Sequence, residues 1–358
     1  MSKKRCQKGK SCGATCISRM KVCLKELGTP NKSITSVRDD IRMYGPPPIK
    51  KDVEPKKSEK IIFSGKNLVV NGEEFTPGKT LPGSTSPKLY VDKDGKGRWV
   101  VKTGGAPGQN VAEKVANDVY NILGKPLGVG SVESKLTSDG KLVNKFIEGG
   151  KVVGDMSPSQ LQRSNAYNLM KGSHIADALV ANWDFMGLNR DNVMVDPSGK
   201  VTRIDTGGTF NYRAQGANKN YGAIPMEMWT LRKGQGKYFW GDAKDEDYRD
   251  VWTRQVKALG ANSLKLRDVM NQSSLPPDVK RAFSQRMGAL MMAGNLIQTA
   301  RFGGKTIGQL ADEGKISWAQ VDGAMKKAFE NASSLDSSSK GWGKALKAEI
   351  MESLGGLI

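Results

Sequence analysis

The chain between residues 61 and 150 alternates short apolar runs with turn residues, a pattern typical of β-strands. Asn71-Gly72 is a turn signal after one such run, and residues 94–97 form a glycine-containing turn between two others. The runs on either side of the second turn predict a hairpin whose inner strand ends in Lys102. The predicted strands cover residues 61–63, 68–70, 89–91, 98–102 and 141–146.

Apolar residues at helical spacing predict helices in later parts of the chain. The segment 110–123 carries apolar residues on one face and places Glu113 near its start. A second predicted helix, through residues 175–180, leads into Asp184. From Leu275 onward we expect several amphipathic helices whose methionines pack in a helical core.

Composition divides the chain into four segments. Residues 45–60 run from three consecutive prolines into a mixture of Lys and Glu, which predicts a stiff, extended linker. This linker follows a basic, cysteine-bearing segment at 1–44. It precedes a β-rich region at 61–150 and a helical region at 151–358, so the fold class expected is α+β.

The net charge of +20 is concentrated at the N-terminus. Residues 1–60 hold 16 Lys or Arg against 6 Asp or Glu, which is +10. Such a segment attracts nucleic acid or another polyanion, although a solvated tail that aids solubility explains it as well. No apolar stretch suggests a signal peptide or a membrane span, so we expect a cytoplasmic protein; association with a virus particle stays open.

The four cysteines all lie near the N-terminus, at Cys6, Cys12, Cys16 and Cys23. Four thiolates can complete the tetrahedral shell of a structural zinc ion, and a short basic segment with few apolar residues would need such support to fold. Two alternatives remain. Cys12, Cys16 and Cys23 have the spacing of one helical face and would then be buried thiols, and an oxidising setting would allow two disulfides.

The loop before the predicted hairpin is small and hydroxylated. Residues 83–88 include Ser84, Thr85 and Ser86 and end in Lys88. Backbone N–H groups of such a loop can approach an anion closely, and the hydroxyls add donors. The loop therefore predicts phosphate binding.

Lys102, at the end of the inner hairpin strand, is the candidate for direct contact with phosphates. Such a lysine needs a carboxylate that holds it in place, and Glu113 is the candidate partner. A lysine-bearing hairpin of this kind resembles the start of a kinase, which implies that residues 147–150, including Glu148, form a passage between two lobes that binds an adenine base. A strand followed by a plain turn explains residues 147–150 equally well.

Two short strands with polar ends are predicted between residues 191 and 204. Asn192 stands near the start of the first strand, and Asp205 directly follows the second. Because antiparallel strands place these ends together, both side chains are expected at one point. Carboxylate and amide oxygens are ligands that Mg²⁺ prefers, so this pair predicts a magnesium site. The alternative is that they merely cap turns.

This region resembles the catalytic core of atypical kinases, especially the HipA-like and phosphoinositide-kinase-like groups. In those groups a catalytic-loop Asp is followed by a metal-binding Asn, a glycine-containing turn and an Ile-Asp-x-Gly element. Asp184, Asn192 and the sequence Ile204-Asp205-Thr206-Gly207 match that order. The resemblance covers about residues 80–215 and implies a bilobal kinase-like fold with a β-rich N-lobe and a helical C-lobe.

The resemblance also implies phosphotransfer from ATP, with Mg²⁺, to an acceptor hydroxyl, most naturally that of a protein. Lys102 would contact the phosphates, Asp184 would orient the acceptor, and Asn192 and Asp205 would bind the metal. Asp184 and Asn192 are eight residues apart where the family pattern has five. The loop must therefore bulge, or Asp191 takes the place of Asp184.

That altered spacing also favours a different kind of protein, a non-catalytic kinase-like scaffold that binds nucleic acid or a larger assembly. Retention of Lys102, Asn192 and Asp205 favours the enzyme. His174 is the only histidine, which excludes a histidine-rich metal site. We expect it to pack or cap a helix.

Overall fold

The computed structural model describes residues 9–12, 15–18, 61–81, 86–102 and 105–358. The chain divides into two compact units, Met1–Lys56 and Lys57–Ile358. In the first unit, β1 (Gly9–Cys12) and β2 (Thr15–Ser18) pair as an antiparallel hairpin.

Two of the four cysteines lie on this hairpin, Cys12 on β1 and Cys16 on β2. The alternative that placed them on one helical face is therefore wrong for this pair, because successive side chains of a strand do not follow a helical period. Cys6 and Cys23 lie outside the described residues. The zinc and disulfide hypotheses both stay predictions.

The second unit begins with an antiparallel sheet of seven described strands. Their spatial order is β3-β4-β5-β6-β7-β10-β9, so neighbouring strands are mostly sequence neighbours. The strands are β3 (Ile61–Ser64), β4 (Asn67–Val70), β5 (Glu73–Thr80), β6 (Lys88–Val91), β7 (Arg98–Lys102), β9 (Ser134–Leu136) and β10 (Leu142–Lys145).

Turn chemistry explains why this sheet forms where the apolar runs predict strands. Asn71 and Gly72 both adopt positive φ, 55° and 89°, which suits the tight turn between β4 and β5. The Asp92 carboxylate accepts hydrogen bonds from backbone N–H groups in the turn between β6 and β7, including one from Lys96 N at 2.8 Å. The apolar pattern misses β5 because only Phe75 in that strand is buried.

A helix and a small sheet connect this region to the rest of the unit. Helix α1 (Gln109–Val119) continues through a π-helical turn, Tyr120–Gly124, into α2 (Lys125–Leu127). The small sheet has the order β11-β12-β13-β8, and only β13 and β8 are parallel. Its strands are β8 (Gly130–Ser131), β11 (Lys151–Val152), β12 (Val193–Val195) and β13 (Val201–Arg203).

The remainder is mostly helical and ends in long amphipathic helices, as the methionine-rich pattern predicts. Gly303 and Gly304 form the turn of a hairpin, β14 (Arg301–Phe302) and β15 (Lys305–Thr306), that separates two of these helices. The helices are α3 (Pro158–Ser164), α4 (Ala166–Lys171), α5 (His174–Val180), α6 (Glu227–Lys233), α7 (Lys237–Trp240), α8 (Asp245–Asp250), α9 (Val256–Gln272), α10 (Pro277–Thr299), α11 (Ile307–Asp312), α12 (Trp318–Ala332) and α13 (Trp342–Gly355).

Two hydrophobic cores form in this unit. The smaller core fills one face of the seven-stranded sheet and includes Phe75, Trp99 and Val101. The larger core runs through the helices and includes the apolar face of α1, with Val115 and Val119 fully or almost fully buried. Helix α1 therefore belongs to the helical core although it follows the sheet in sequence.

The α+β class is confirmed, because a β-sheet region precedes a mostly helical region. Within the described ranges, no helix combines the length and apolar character that crossing a bilayer requires.

Candidate functional site

The end of strand β7 places a buried lysine between two carboxylates. Lys102 Nζ lies 2.6 Å from Glu113 Oε1 and 3.1 Å from Asp205 Oδ1. Lys102 and Glu113 are both almost completely buried, whereas the Asp205 side chain is half-exposed. The three residues come from strand β7, helix α1 and the segment after β13, so this contact joins the sheet to the helical core.

The pKa values of these groups reflect the balance of burial and charge. Burial alone would lower the pKa of Lys102, but the nearby Asp205 and Glu113 outweigh it and hold the pKa above its ordinary value. Burial raises the pKa of Glu113, although Lys102 opposes the rise. For Asp205, burial raises the pKa, but attraction to Lys102 and the hydrogen bonds from Gly207 and Lys102 together outweigh burial and lower the pKa. Lys102 is therefore charged at neutral pH.

One polar face of α1 holds the segment that carries Asp205. Gln109, Glu113 and Asn117 are spaced four residues apart and so share that face. Gln109 Nε2 donates to Gly207 O at 3.1 Å, and Asn117 Oδ1 accepts from Thr206 Oγ1 at 2.8 Å. These bonds on either side of Glu113 fix the distance between α1 and the residues after β13.

The β12–β13 pair brings Asn192 beside Asp205. Val193 pairs with Arg203, and Ile204 N donates to Asn192 O at 3.0 Å, so Asn192 lies opposite Ile204. Asn192 Nδ2 then donates to Asp184 O at 2.6 Å and Asp184 Oδ2 at 3.1 Å. A pair of short strands thus connects the Asp184 loop to the Asp205 segment.

A compact loop explains how Asp184 and Asn192 meet although they are eight residues apart. Gly187 and Arg190 both have positive φ, 76° and 58°, and they form two consecutive turns. Asn192 N donates to Met186 O at 3.1 Å and closes the loop. The extra residues bulge outward as a tight coil, which leaves both functional side chains in contact.

Asp184 and Asp191 have different surroundings. Asp184 Oδ1 accepts from Gln235 Nε2 at 3.0 Å, and Asp184 Oδ2 accepts from Asn192. Burial raises the pKa of Asp184, which the hydrogen bonds from Gln235 and Asn192 oppose, while Asp205 and Asp191 raise it further. Asp191 is exposed and lies against the Gly187 turn. Asp184 is therefore the better placed of the two for proton chemistry.

Oxygen atoms suited to a metal ion remain available at this point. Asn192 uses its amide nitrogen toward Asp184, so its Oδ1 has no hydrogen-bond partner among the described residues. Asp205 Oδ1 accepts from Lys102 and Gly207, and Oδ2 likewise has no protein partner in the described part. An amide and a carboxylate oxygen match the ligand preference of Mg²⁺. The described residues contain no cluster of three or more His, Cys, Asp or Glu side chains suited to a metal.

Two consecutive glycines allow the chain to pass close to this cluster. A Cβ on Gly207 would lie 3.3 Å from both Asp205 Oδ1 and Glu113 Oε2, and a Cβ on Gly208 would lie 3.1 Å from Asp184 Cβ. Any larger side chain would therefore crowd the acidic groups or push them apart.

The described structure does not place some residues that the sequence singles out in this cluster. Ser84 and Thr85 are outside the described residues, and Ser86 is exposed with a positive φ of 47°. Lys88 is half-buried on β6 beside this loop. Glu148 is exposed and pairs with Arg98, 3.3 Å away at the opposite end of β7 from Lys102. The structure does not bring the Glu148 side chain into the cluster.

The only histidine has the packing role expected of it. His174 is buried at the start of α5, and its Nε2 lies 2.8 Å from Met228 O. Burial, with help from Arg232, lowers its pKa to about 3, so it stays neutral.

Sequence reasoning missed Gln109, Asn117 and Gln235. The first two could have been found, because polar residues at four-residue spacing beside Glu113 form a polar stripe on a predicted helix. Gln235 lies 51 residues from Asp184 with no local signal.

Comparisons with known proteins give weak similarities. No protein-family model and no curated protein sequence matches the chain. Among solved structures, the proinflammatory kinase CtkA of Helicobacter pylori is similar at 12% identity over 60% of this chain and 90% of that chain, with a TM-score of 0.36. Choline kinase LicA from Streptococcus pneumoniae is similar at 12% identity over 78% and 92%, with a TM-score of 0.28. LicA in complex with AMP has a TM-score of 0.23 at 12% identity over 90% and 98%. These proteins are kinases, but such TM-scores are too low to assign the fold or function of this chain.

Proposed function

We propose that this chain is an atypical kinase that transfers a phosphoryl group from ATP, with Mg²⁺, to a hydroxyl group of a protein. The observation that supports it most is the buried Lys102 ammonium, which lies between Glu113 and Asp205. A lysine held by a helix glutamate next to a metal-binding aspartate is the arrangement that kinases use to position ATP phosphates.

Lys102 would neutralise charge on the phosphates of ATP. Its ammonium stays protonated because Asp205 and Glu113 hold its pKa high. The loop with Ser84, Thr85 and Ser86, which leads into Lys88, would add donors to the same phosphates. In such reactions, positioning and charge neutralisation account for most of the catalysis.

Asn192 and Asp205 would hold the magnesium ion through Asn192 Oδ1 and the free oxygen of Asp205. When bound, the ion offsets negative charge on the transferred phosphoryl group. Gln109 and Asn117 would keep Asp205 in place through the neighbouring residues that they bind.

Asp184 would orient the acceptor hydroxyl and accept its proton. Gln235 and Asn192 fix both carboxylate oxygens, and burial raises the pKa above that of an exposed aspartate, which makes it a better base. The side chain beside it, Trp183, is 43% exposed, so an acceptor could contact it.

The test is incubation of the full chain with γ-labelled ATP, with and without Mg²⁺, followed by measurement of released or transferred phosphate. We expect magnesium-dependent turnover, which Asp184→Ala lowers at least 100-fold while the affinity for ATP changes little. Asp191→Ala, a matched control in the same loop, should keep its turnover. A reversed ranking in folded variants would make Asp191 the base. Absence of any turnover would favour the non-catalytic scaffold.

A further inference from the structure

A buried lysine outside the predicted set lies close to the catalytic candidates. Lys219 is only 8% exposed, and its Nζ donates to Ala181 O at 2.5 Å and to Gly208 O at 2.6 Å. The ammonium also lies 4.8 Å from the centre of the Trp183 ring. All three of these neighbours border the proposed site.

The two carbonyls belong to the chain segments that carry the proposed acid groups. Ala181 follows α5 with a positive φ of 52° and starts the turn into Asp184. Gly208 lies three residues after Asp205, and its carbonyl also accepts from Trp183 N at 3.3 Å. One ammonium group therefore connects the start of the Asp184 loop to the end of the Asp205 segment.

The chain holds Lys219 in place by its backbone. Lys219 N donates to Asn211 O at 2.8 Å, and Tyr212 pairs with Asn218 in an isolated bridge. These bonds fold residues 211–219 back on themselves and aim the side chain at Ala181 and Gly208. The backbone of Lys219 is therefore held in a position from which its side chain contacts the two carbonyls.

Lys219 is buried without the acidic partner that usually offsets such a charge. No carboxylate among the described residues lies within ion-pair distance of its Nζ. Glu227 is the main acid nearby, but it binds Arg286 and accepts from Trp183 Nε1 at 3.1 Å. Burial lowers the pKa of Lys219 to about 7; Glu227 and Asp184 raise it, and Arg286 and Arg213 lower it.

A buried amine of this kind reduces stability, because folding removes a charge from water and returns two carbonyl contacts and an aromatic ring but no carboxylate partner. An apolar side chain of similar size would satisfy the packing at lower cost. A group that lowers stability and also contacts both functional segments has the character of a functional residue.

We propose that Lys219 is a positioning residue for phosphotransfer, which fixes Asp184 relative to Asp205 by tying together the backbone beside each of them. This inference rests on the proposed kinase function. Lys219 itself contacts neither ATP nor the acceptor in this role. Without it, the Trp183 N–Gly208 O hydrogen bond would be the remaining direct link between this loop and Gly208, and the acceptor would be held less accurately.

The test compares Lys219→Met with the wild-type chain and with Lys257→Met, which removes an exposed lysine from α9. We expect Lys219→Met to lower kcat at least tenfold with little change in KM for ATP, and Lys257→Met to leave both unchanged. Methionine keeps the length and apolar stem of lysine but cannot donate to the carbonyls. If Lys219→Met does not fold, Lys219→Leu, which also lacks a donor group, replaces it with the same expectation.

Thermal unfolding distinguishes positioning from simple support of the fold. The unfolded lysine titrates at 10.5 and the folded one at about 7, so the unfolded chain binds more protons between these values. Stability from this group therefore rises with pH across that window. We expect the Tm of Lys219→Met, relative to wild type, to be higher at pH 6 than at pH 9, while kcat is reduced at both.

The outcomes separate the two proposals. An active wild type whose kcat survives Lys219→Met would overturn the positioning role and leave the kinase intact. If Lys219→Met lowers kcat but also has a lower Tm than the wild type at every pH, the lysine supports the fold only, and the positioning role is overturned. A wild-type chain without ATP turnover would overturn the kinase proposal itself, and with it any role of Lys219 in the reaction.

Discussion

Asn117 connects α1 to the residue after Asp205, and its replacement by alanine tests that connection. Its side chain makes three buried hydrogen bonds, to Ser131, Ser134 and Thr206. Each hydroxyl keeps a backbone carbonyl as an alternative acceptor, so each bond contributes about 1 kcal/mol rather than the full cost of an unpaired group. Alanine regains about 0.5 kcal/mol in helix propensity. Asn117→Ala should therefore lower the free energy of unfolding by about 2.5 kcal/mol.

Asn121→Ala is the matched control, because Asn121 lies one turn further along and bonds Ser131 N and Val132 O but no residue near Asp205. Urea unfolding gives the stability of both variants, and calorimetric titration with ATP and Mg²⁺ gives the affinity. We expect Asn117→Ala to weaken ATP binding at least fivefold, which is on the order of 1 kcal/mol of coupling. Asn121→Ala should lose stability without weakening ATP binding. Equal affinities in the two folded variants would refute the coupling of α1 to Asp205 through Thr206.

Two further predictions concern the zinc hypothesis and the buried ion pairs. Metal analysis of protein prepared without added metal should find about one zinc ion per chain, lost in Cys12→Ser, and metal-free protein with an unchanged N-terminal segment would contradict it. Arg203→Met leaves the fully buried Asp177 carboxylate without its cation and should cost about 3–5 kcal/mol of unfolding free energy. Arg254→Met, which breaks a partly exposed pair with Asp250, should cost less than about 1 kcal/mol in the same denaturant titration.

Local patterns carry much of the fold. Apolar runs bounded by turns predict strands β3, β4, β6, β7 and β10. Burial of a strand favours apolar residues at neighbouring positions, and that pattern is visible in the sequence. Strand β5 has no such pattern, since its exposed residues are mostly polar and only Phe75 is buried. The α1 helix follows from its apolar face, but its continuation as a π-helical turn at Tyr120–Gly124 does not.

The candidate site divides in the same way. Lys102, Glu113, Asn192 and Asp205 stand at the ends of predicted strands or on a predicted helix face, so their meeting follows from local structure. Contacts between residues distant in sequence could not be predicted in this way. Gln235, which donates to Asp184, lies between α6 and α7, 51 residues away. Lys219 could not be predicted either, because it contacts backbone carbonyls. Every residue has a backbone carbonyl, so the sequence does not indicate which ones Lys219 contacts.

If Asp205 binds magnesium for ATP, calorimetric titration of ATP into the full chain will show it in the effect of Mg²⁺ on affinity. Asp196→Asn is the control, because it removes the same charge from the turn of the same strand pair, where Asp196 bonds Ser198 and Lys200. We predict that Mg²⁺ strengthens ATP binding to the wild type and to Asp196→Asn. Asp205→Asn, with its fold intact, should bind ATP equally with and without Mg²⁺. Undiminished magnesium dependence in Asp205→Asn would contradict the site.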